Sequence, residues 1–272
     1  MAELGPSRSA HDVAKRFSLA VVLVLAGSAL APGEQVAVRH AEGLVHGFLT
    51  LRTLSGELLA DGDLLQSVSG SRVTSRLVFH FKDGSLNDET AVFSQSRQFR
   101  LVSDHLIQKG PTFPQPLDMT IDAAKNQVTV KYEDHGEPKT ASEQLDLPPD
   151  IANGLILTLL KNARPDAPPR SIGFVAATPK PLLVKLAISA AGEESFSTGG
   201  EARKAMHYVL HVDIGGIKGV LASLLGKEPP DSHVWIVGGE APAFVKSEQP
   251  LYNGGPVWRI ELVSPVWPKE TQ

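Results

Sequence analysis

Three polar residues open the question of chemistry. His207, His211 and Asp213 stand in the run HYVLHVD. On a strand they share one face, and Tyr208, Leu210 and Val212 share the other. Imidazoles and carboxylates are ordinary zinc ligands and ordinary acid–base catalysts. The spacing limits what these can do. Residues four apart on a strand are separated by about 13 Å, so His207 and His211 do not grip one ion. His211 and Asp213, two apart, could share a metal only with ligands from other strands, and they are the weak metal candidates of the chain. The plainer expectation is a solvated strand face.

Other constellations are thinner. Gly215-Gly216-Ile217-Lys218-Gly219 precedes a predicted helix, where backbone amides can hold phosphate. It lacks both the Gly-Lys-Ser/Thr ending of a P-loop and the GxGxxG pattern, and it reads as a strand-to-helix turn. Glu57, Asp61 and Asp63 fall on one face of a predicted strand, as carboxylates on an exposed face commonly do. His46, His80, His105, His135 and His233 are scattered without ligand spacing. No GxSxG, HExxH, SxxK or CxxC occurs,. The sequence therefore calls for no cofactor and leans away from catalysis. A hydrolase or metal enzyme built on His207, His211 and Asp213 stands as the alternative.

Apolar contacts offer a binding reading. Trp235, Trp258 and Trp267 cluster near Tyr252 in the last third. The run IKGVLASLLG predicts a short amphipathic helix over Ile217–Leu225, with Leu221 and Leu224 on its apolar side. Trp235, Tyr252, Trp258, Leu221 and Leu224 are the expected ligand contacts.

Most elements that position these residues are strands. From Val36 to Leu147 the pattern has period 2: Leu77, Phe79 and Phe81 against Arg76, His80 and Lys82, then Val128, Val130 and Tyr132 against Thr129, Lys131 and Glu133,. Asp83-Gly84 predicts a tight hairpin. Turn signals recur roughly every 8–12 residues, as in antiparallel sandwiches and barrels. A helix is predicted over Asp150–Asn162, after Pro148-Pro149 and with Asp150 as its cap. The proline-rich stretch Ala163–Arg170 reads as a loop and is the one candidate internal boundary. Further strands follow around Leu183–Ile188, Ala205–Asp213, HVWIV, AFVKSE and PVWRIEL. The fold class expected is mainly β: a curved antiparallel sheet, half-barrel or open barrel, with one or two covering helices at Asp150–Asn162 and Ile217–Leu225.

Arg8, Lys15 and Arg16 precede the uncharged run FSLAVVLVLAGSALA, Phe17–Ala31. Basic flank, short apolar run and small residues together predict a cleaved signal peptide over 1–31, with 32–272 as a single β-rich domain. The run is short for a spanning helix, which leaves an uncleaved anchor as the alternative. No transmembrane span is expected after cleavage. The chain has no cysteine, so disulfides, thiolate metal sites and a lipid-modified N-terminal Cys are excluded,. A net charge of -4 without a basic cluster argues against nucleic acid as a partner,.

The run from Gly219 to Leu262, with GKEPPD at Gly226–Asp231 and GGPVWRIEL at Gly254–Leu262, resembles a group of uncharacterised exported bacterial proteins. They look like a periplasmic family of unknown function with long, curved antiparallel strands. The resemblance implies an envelope β-protein and carries no catalytic residues. The function expected is non-enzymatic binding in the periplasm, or as a secreted protein, of a lipid-like or other apolar molecule or of an envelope protein. A structural envelope component is a further alternative.

Overall fold

The computed structural model describes residues 35–198, 201–213 and 229–263. The strands are β1 (Val45–Thr53), β2 (Leu58–Ser69), β3 (Arg72–Phe81), β4 (Leu86–Gln95), β5 (Phe99–Lys109), β6 (Leu117–Asp122), β7 (Gln127–Asp134) and β8 (Glu137–Gln144). After the helix α1 (Ile156–Asn162) come β9 (Ser171–Ala176), β10 (Leu182–Thr198), β11 (Glu201–Asp213), β12 (Ser232–Val237), β13 (Ala243–Gln249) and β14 (Trp258–Leu262).

All fourteen strands belong to one antiparallel sheet in the order β8-β7-β6-β5-β4-β3-β2-β1-β14-β13-β12-β11-β10-β9. Each strand pairs with its sequence neighbour, except that β1 and β14 join the two runs. The sheet does not close, since β8 and β9 are its two edges. Mainly β, open and antiparallel is what the alternation of the sequence predicts. Asp83-Gly84 turns the β3–β4 hairpin, with Gly84 at φ 85°,.

One short segment shows how strongly the sheet curls. Between β8 and α1, Ala152 donates its N–H to the Gly173 carbonyl on β9 at 2.9 Å. Two residues later, Gly154 packs on Ala91 of β4 and Asp104 of β5. β5 and β9 lie ten places apart in the sheet. At about 4.8 Å per strand a flat sheet would hold them roughly 48 Å apart. The inner face is therefore concave, and the segment 145–163 lies inside it. Leu155, Leu159 and Leu160 are buried there in the same core as Leu51, Phe79, Phe93, Met119, Ile121, Val128, Ile172 and Tyr208.

The helix is shorter than the sequence suggests. Asp150 does not cap it: its Oδ2 accepts the Gly173 N–H at 3.1 Å. Asn153 donates Nδ2–H to the Val175 carbonyl at 3.0 Å and accepts the Val175 N–H at 2.8 Å, as a strand residue's own backbone would. Gly154 then turns at φ 66°. Residues 150–153 thus extend along the β9 edge, and helical geometry begins only after Leu155, which has no side-chain cap bond. The edge's unpaired backbone groups outcompeted the capping role that local sequence offered Asp150. The second expected helix, Ile217–Leu225, lies outside the described residues.

The N-terminal stretch from Gln35 straps this insert from the other side. Asn162 Oδ1 accepts the N–H groups of Arg39 and His40 at 2.9 and 2.6 Å. Lys161 meets the buried Glu42 carboxylate at 2.6 Å, and Gln66 donates to the same group at 3.0 Å.

Candidate functional site

The outer face of β10–β13 carries a polar chain. His207 Nδ1 lies 2.8 Å from Glu194 Oε1, and His207 Nε2 lies 2.9 Å from His233 Nδ1. In register, His207 is opposite Trp235, and His233 sits two residues earlier on the same face of β12. Trp235 stacks on the His207 ring at 4.3 Å with 9° between planes, and donates Nε1–H to Glu194 Oε2 at 2.8 Å. Lys246, opposite Trp235 on β13, places Nζ 4.0 Å from the indole centroid. The hydrogen bond from Trp235 holds the Glu194 carboxyl below its ordinary range. With His207 donating from Nδ1 to Glu194, its Nε2 is free to accept from His233, a tautomer that the carboxylate fixes.

The two imidazole centroids are 5.1 Å apart. Two rings joined end to end by one bond of 2.9 Å give about this distance, since each nitrogen stands about 1.15 Å from its ring centre,. The two nitrogens face each other across one hydrogen bond and do not converge on a third point. This arrangement passes or shares a proton; it does not chelate without turning a ring that Trp235 holds flat. Among the described residues no three His, Asp or Glu side chains gather around a metal-sized position.

His211 is not part of this chain of bonds. Its Nδ1 lies 2.7 Å from Asp231 Oδ1 on an exposed part of the face. Asp213 stands opposite Lys185 in the β10–β11 register. The expected set His207, His211 and Asp213 is thus divided. His207 joins Glu194 and His233, which spacing alone did not select, because they come from neighbouring strands.

The expected aromatic set is divided as well. Trp235 is 6% exposed on the outer face. Tyr252 and Trp258 instead pack inside, edge to face at 5.9 Å, with Phe113 and Phe81 completing the cluster at 5.6 and 5.7 Å. Trp258 and Ile260 point into the core and Arg259 pairs outward with Glu248, as the alternation of the last strand predicts. Leu221 and Leu224 lie outside the described residues.

A second constellation had no motif to announce it. On the concave face, Glu89 of β4 stands between Leu77 of β3 and Leu106 of β5. Asp104 of β5 stands between Ala91 of β4 and Ile121 of β6. The two carboxyls are diagonal neighbours in an apolar row, with Gly154 of the insert above them. Asp104 is 0% exposed, and neither of its oxygens has a hydrogen-bond partner. Burial, and then the Glu89 charge, push its pKa well above the carboxylate range. Glu89 as a residue is partly buried, and its carboxyl is enclosed. Burial raises that group to about 7, against the opposing pull of the Gly154 amide. The sequence signal was partial: Glu89 and Asp104 fall on the inward faces of β4 and β5, which also carry the buried Asn87 and Gln108, and a bulge shifts the β4–β5 register between Val92 and Phe93.

A void of about 10 Å³ lies among Val36, Phe99, Ile151, Leu155, Leu159 and Ile172. A polar cleft of about 330 Å³ opens at the end of α1, between His40, Glu42, Lys161, Asn162 and Glu240. Of its lining groups, Glu42, Lys161 and Asn162 are already bonded to one another or to the strap.

No family model and no curated protein matches the chain. Among solved structures it is similar to the hypothetical lipoprotein YmcC from Escherichia coli K12, with 11% identity over 86% of this chain and 92% of that one, at a TM-score of 0.36. A likeness of that depth transfers no property of the lipoprotein. No helix among the described residues is long and apolar enough to cross a membrane.

Proposed function

We propose that this chain is an exported, non-enzymatic binding protein of the bacterial envelope, whose concave sheet face takes a lipid-like molecule or the apolar segment of an envelope partner. One observation carries the reading. Among the described residues, the concavity is filled by one short insert, the segment 145–163, and not by a second sheet. That insert is held by a few directional bonds, Asn153 to Val175 and Asn162 to Arg39 and His40. At Gly154 it rests beside two carboxyls that have no ion-pair partner among the described residues. The apolar side chains beneath it, Phe79, Phe93, Met119 and Val128 among them, form a face that an apolar guest could cover in its place,. The void beneath α1 is too small for such a guest, so binding requires the insert to move.

Export rests on the basic flank and the apolar run Phe17–Ala31,. N-terminal sequencing of protein from its own host should start between about Leu30 and Val38, and an intact Met1 or Ala2 would overturn export. Native mass spectrometry of the same material tests binding. A retained lipid-sized mass or a stoichiometric envelope protein supports it. A bare chain that also takes up no naphthalene-sulfonate dye at any pH from 5 to 9 sinks it.

A further inference from the structure

The segment 145–163 ties together distant parts of the sheet. Its residues 150–153 are bonded to β9, its helix packs toward β12 and β13, and Gly154 seats it on β4 and β5. The β9 contact is made of four matched hydrogen bonds, counting both Asn153 bonds, the Asp150 bond and the Ala152 bond. The β4–β5 contact is different in kind. A Cβ on Gly154 would stand 2.5 Å from the Ala91 Cβ and 3.0 Å from Asp104 Oδ1, so backbone is pressed onto Ala91 and the Asp104 carboxyl, while the Gly154 amide faces Glu89.

We propose that Glu89 and Asp104 form a proton-controlled latch: while protonated they let the segment 145–163 close over the concave face, and when they lose those protons the segment is driven off its β4–β5 seat.

The chemistry follows from what surrounds them. Two anions cannot share an apolar site without a counter-charge, and an isolated buried carboxylate sheds its charge by keeping its proton. The charged group facing Asp104 is Glu89, and the group facing Glu89 is Asp104. From β3 and β6 the facing side chains are Leu77 and Ile121, and from β4 and β5 they are Ala91 and Leu106. The other charged residues nearby are turned away or engaged. Asp88 holds Arg76 on the outer face, and His105 holds Asp118 there. On the insert itself, Asp150 is bonded to Gly173 and Lys161 to Glu42. Asp104 is sealed beneath Gly154 and the Glu89 carboxyl is enclosed beside it, so both shed their protons to water only as the segment lifts. Lifting the insert hydrates both carboxylates at once, which is the differential interaction a two-state change requires.

The experiment is amide hydrogen exchange of the full mature chain between pH 5 and pH 9, corrected for intrinsic rates and read separately for 152–160 and for β6–β7. In the parent protein, protection of 152–160 should fall as pH rises from about 5, by up to about tenfold per pH unit for each carboxyl that stays protonated while the segment is seated, and Ile121 and Val128 should stay protected. Glu89→Gln should make that fall shallower, and Glu89→Gln with Asp104→Asn should leave protection of 152–160 flat. If the double variant does not fold, the Glu89→Gln slope decides alone. A flat parent profile, an unchanged slope in Glu89→Gln, or loss of protection in all strands together would each overturn the latch. The idea deepens the binding reading, and its failure is separable from that reading's. Release of 152–160 without dye uptake would keep the latch and sink the binding function. Dye uptake with pH-independent protection would do the reverse.

Discussion

His207 and His211 occupy one face of β11 and meet different environments. His207 is wedged between Glu194, His233 and the Trp235 ring, whereas His211 is paired with the exposed carboxylate of Asp231. Replacing each by Gln should separate them. His211→Gln is expected to change stability by no more than about 0.5 kcal/mol, as for most exposed sites. His207→Gln loses a stacked ring and a bonded partner on each side, and should cost about 1–2 kcal/mol in urea denaturation. Trp235→Phe keeps most of the stacking and removes the indole bond to the half-exposed Glu194, for a loss of about 1 kcal/mol,. Equal effects at the two histidines would mean that the Glu194–His207–His233 chain contributes nothing to the fold.

The insert is the element whose behaviour the sequence describes least well. Proline, an acidic cap and an apolar run gave a helix from Asp150, yet the first four residues serve the β9 edge. Their cost of replacement should reflect that role. Asn153→Ala leaves the Val175 N–H and carbonyl buried without partners, and about 2–5 kcal/mol should be lost,. Leu159→Ala empties a packed site under α1 and falls in the same range,. Gly154→Ala forces a methyl against Ala91 at a φ of 66°, and should cost as much although it adds only one carbon,. If Asn153→Ala were neutral by thermal or urea melting, the strand-mimicking contact would not be what secures the insert.

For the molecule as a whole, the carboxyl pair fixes the direction of the pH dependence. Both groups keep protons in the folded state that the unfolded chain releases in the ordinary carboxylate range, near pH 4,. Folding is unpenalised by them below that range, and stability falls as pH rises from there toward the raised values, about 7 for Glu89 and higher for Asp104. The limiting slope is about 1.4 kcal/mol per pH unit for each group. Surface carboxyls act in the opposite sense. Asp83, held low by the Thr112 hydroxyl, and Asp122, held low by Lys125, contribute stability that is lost as pH drops below their ordinary range. The urea midpoint should therefore peak in mild acid, near pH 5, and decline through neutrality. A midpoint that rises steadily from pH 5 to pH 8 would contradict the buried pair. At the sheet's free edge, β8 carries Glu137, Pro138 and Lys139 with its side chains turned to water, which blunts pairing with another chain,.

The strands were legible because a half-buried sheet imprints period 2 on its sequence, and turn residues punctuate it. The rows Leu77-Phe79-Phe81 and Trp258-Ile260 point where their alternation says they should. The absence of cysteine settled the question of disulfides outright. What joined β1 to β14, how far the sheet curls, and which residues meet across strands were decided by the tertiary structure. Contacts such as His207 with His233, or Glu89 with Asp104, depend on register between strands, and register is a relation between segments that neither segment states alone. For the same reason Trp235 and Trp258, neighbours in sequence style, ended on opposite faces, and Asp150 gave its carboxylate to a strand edge and not to the helix it precedes.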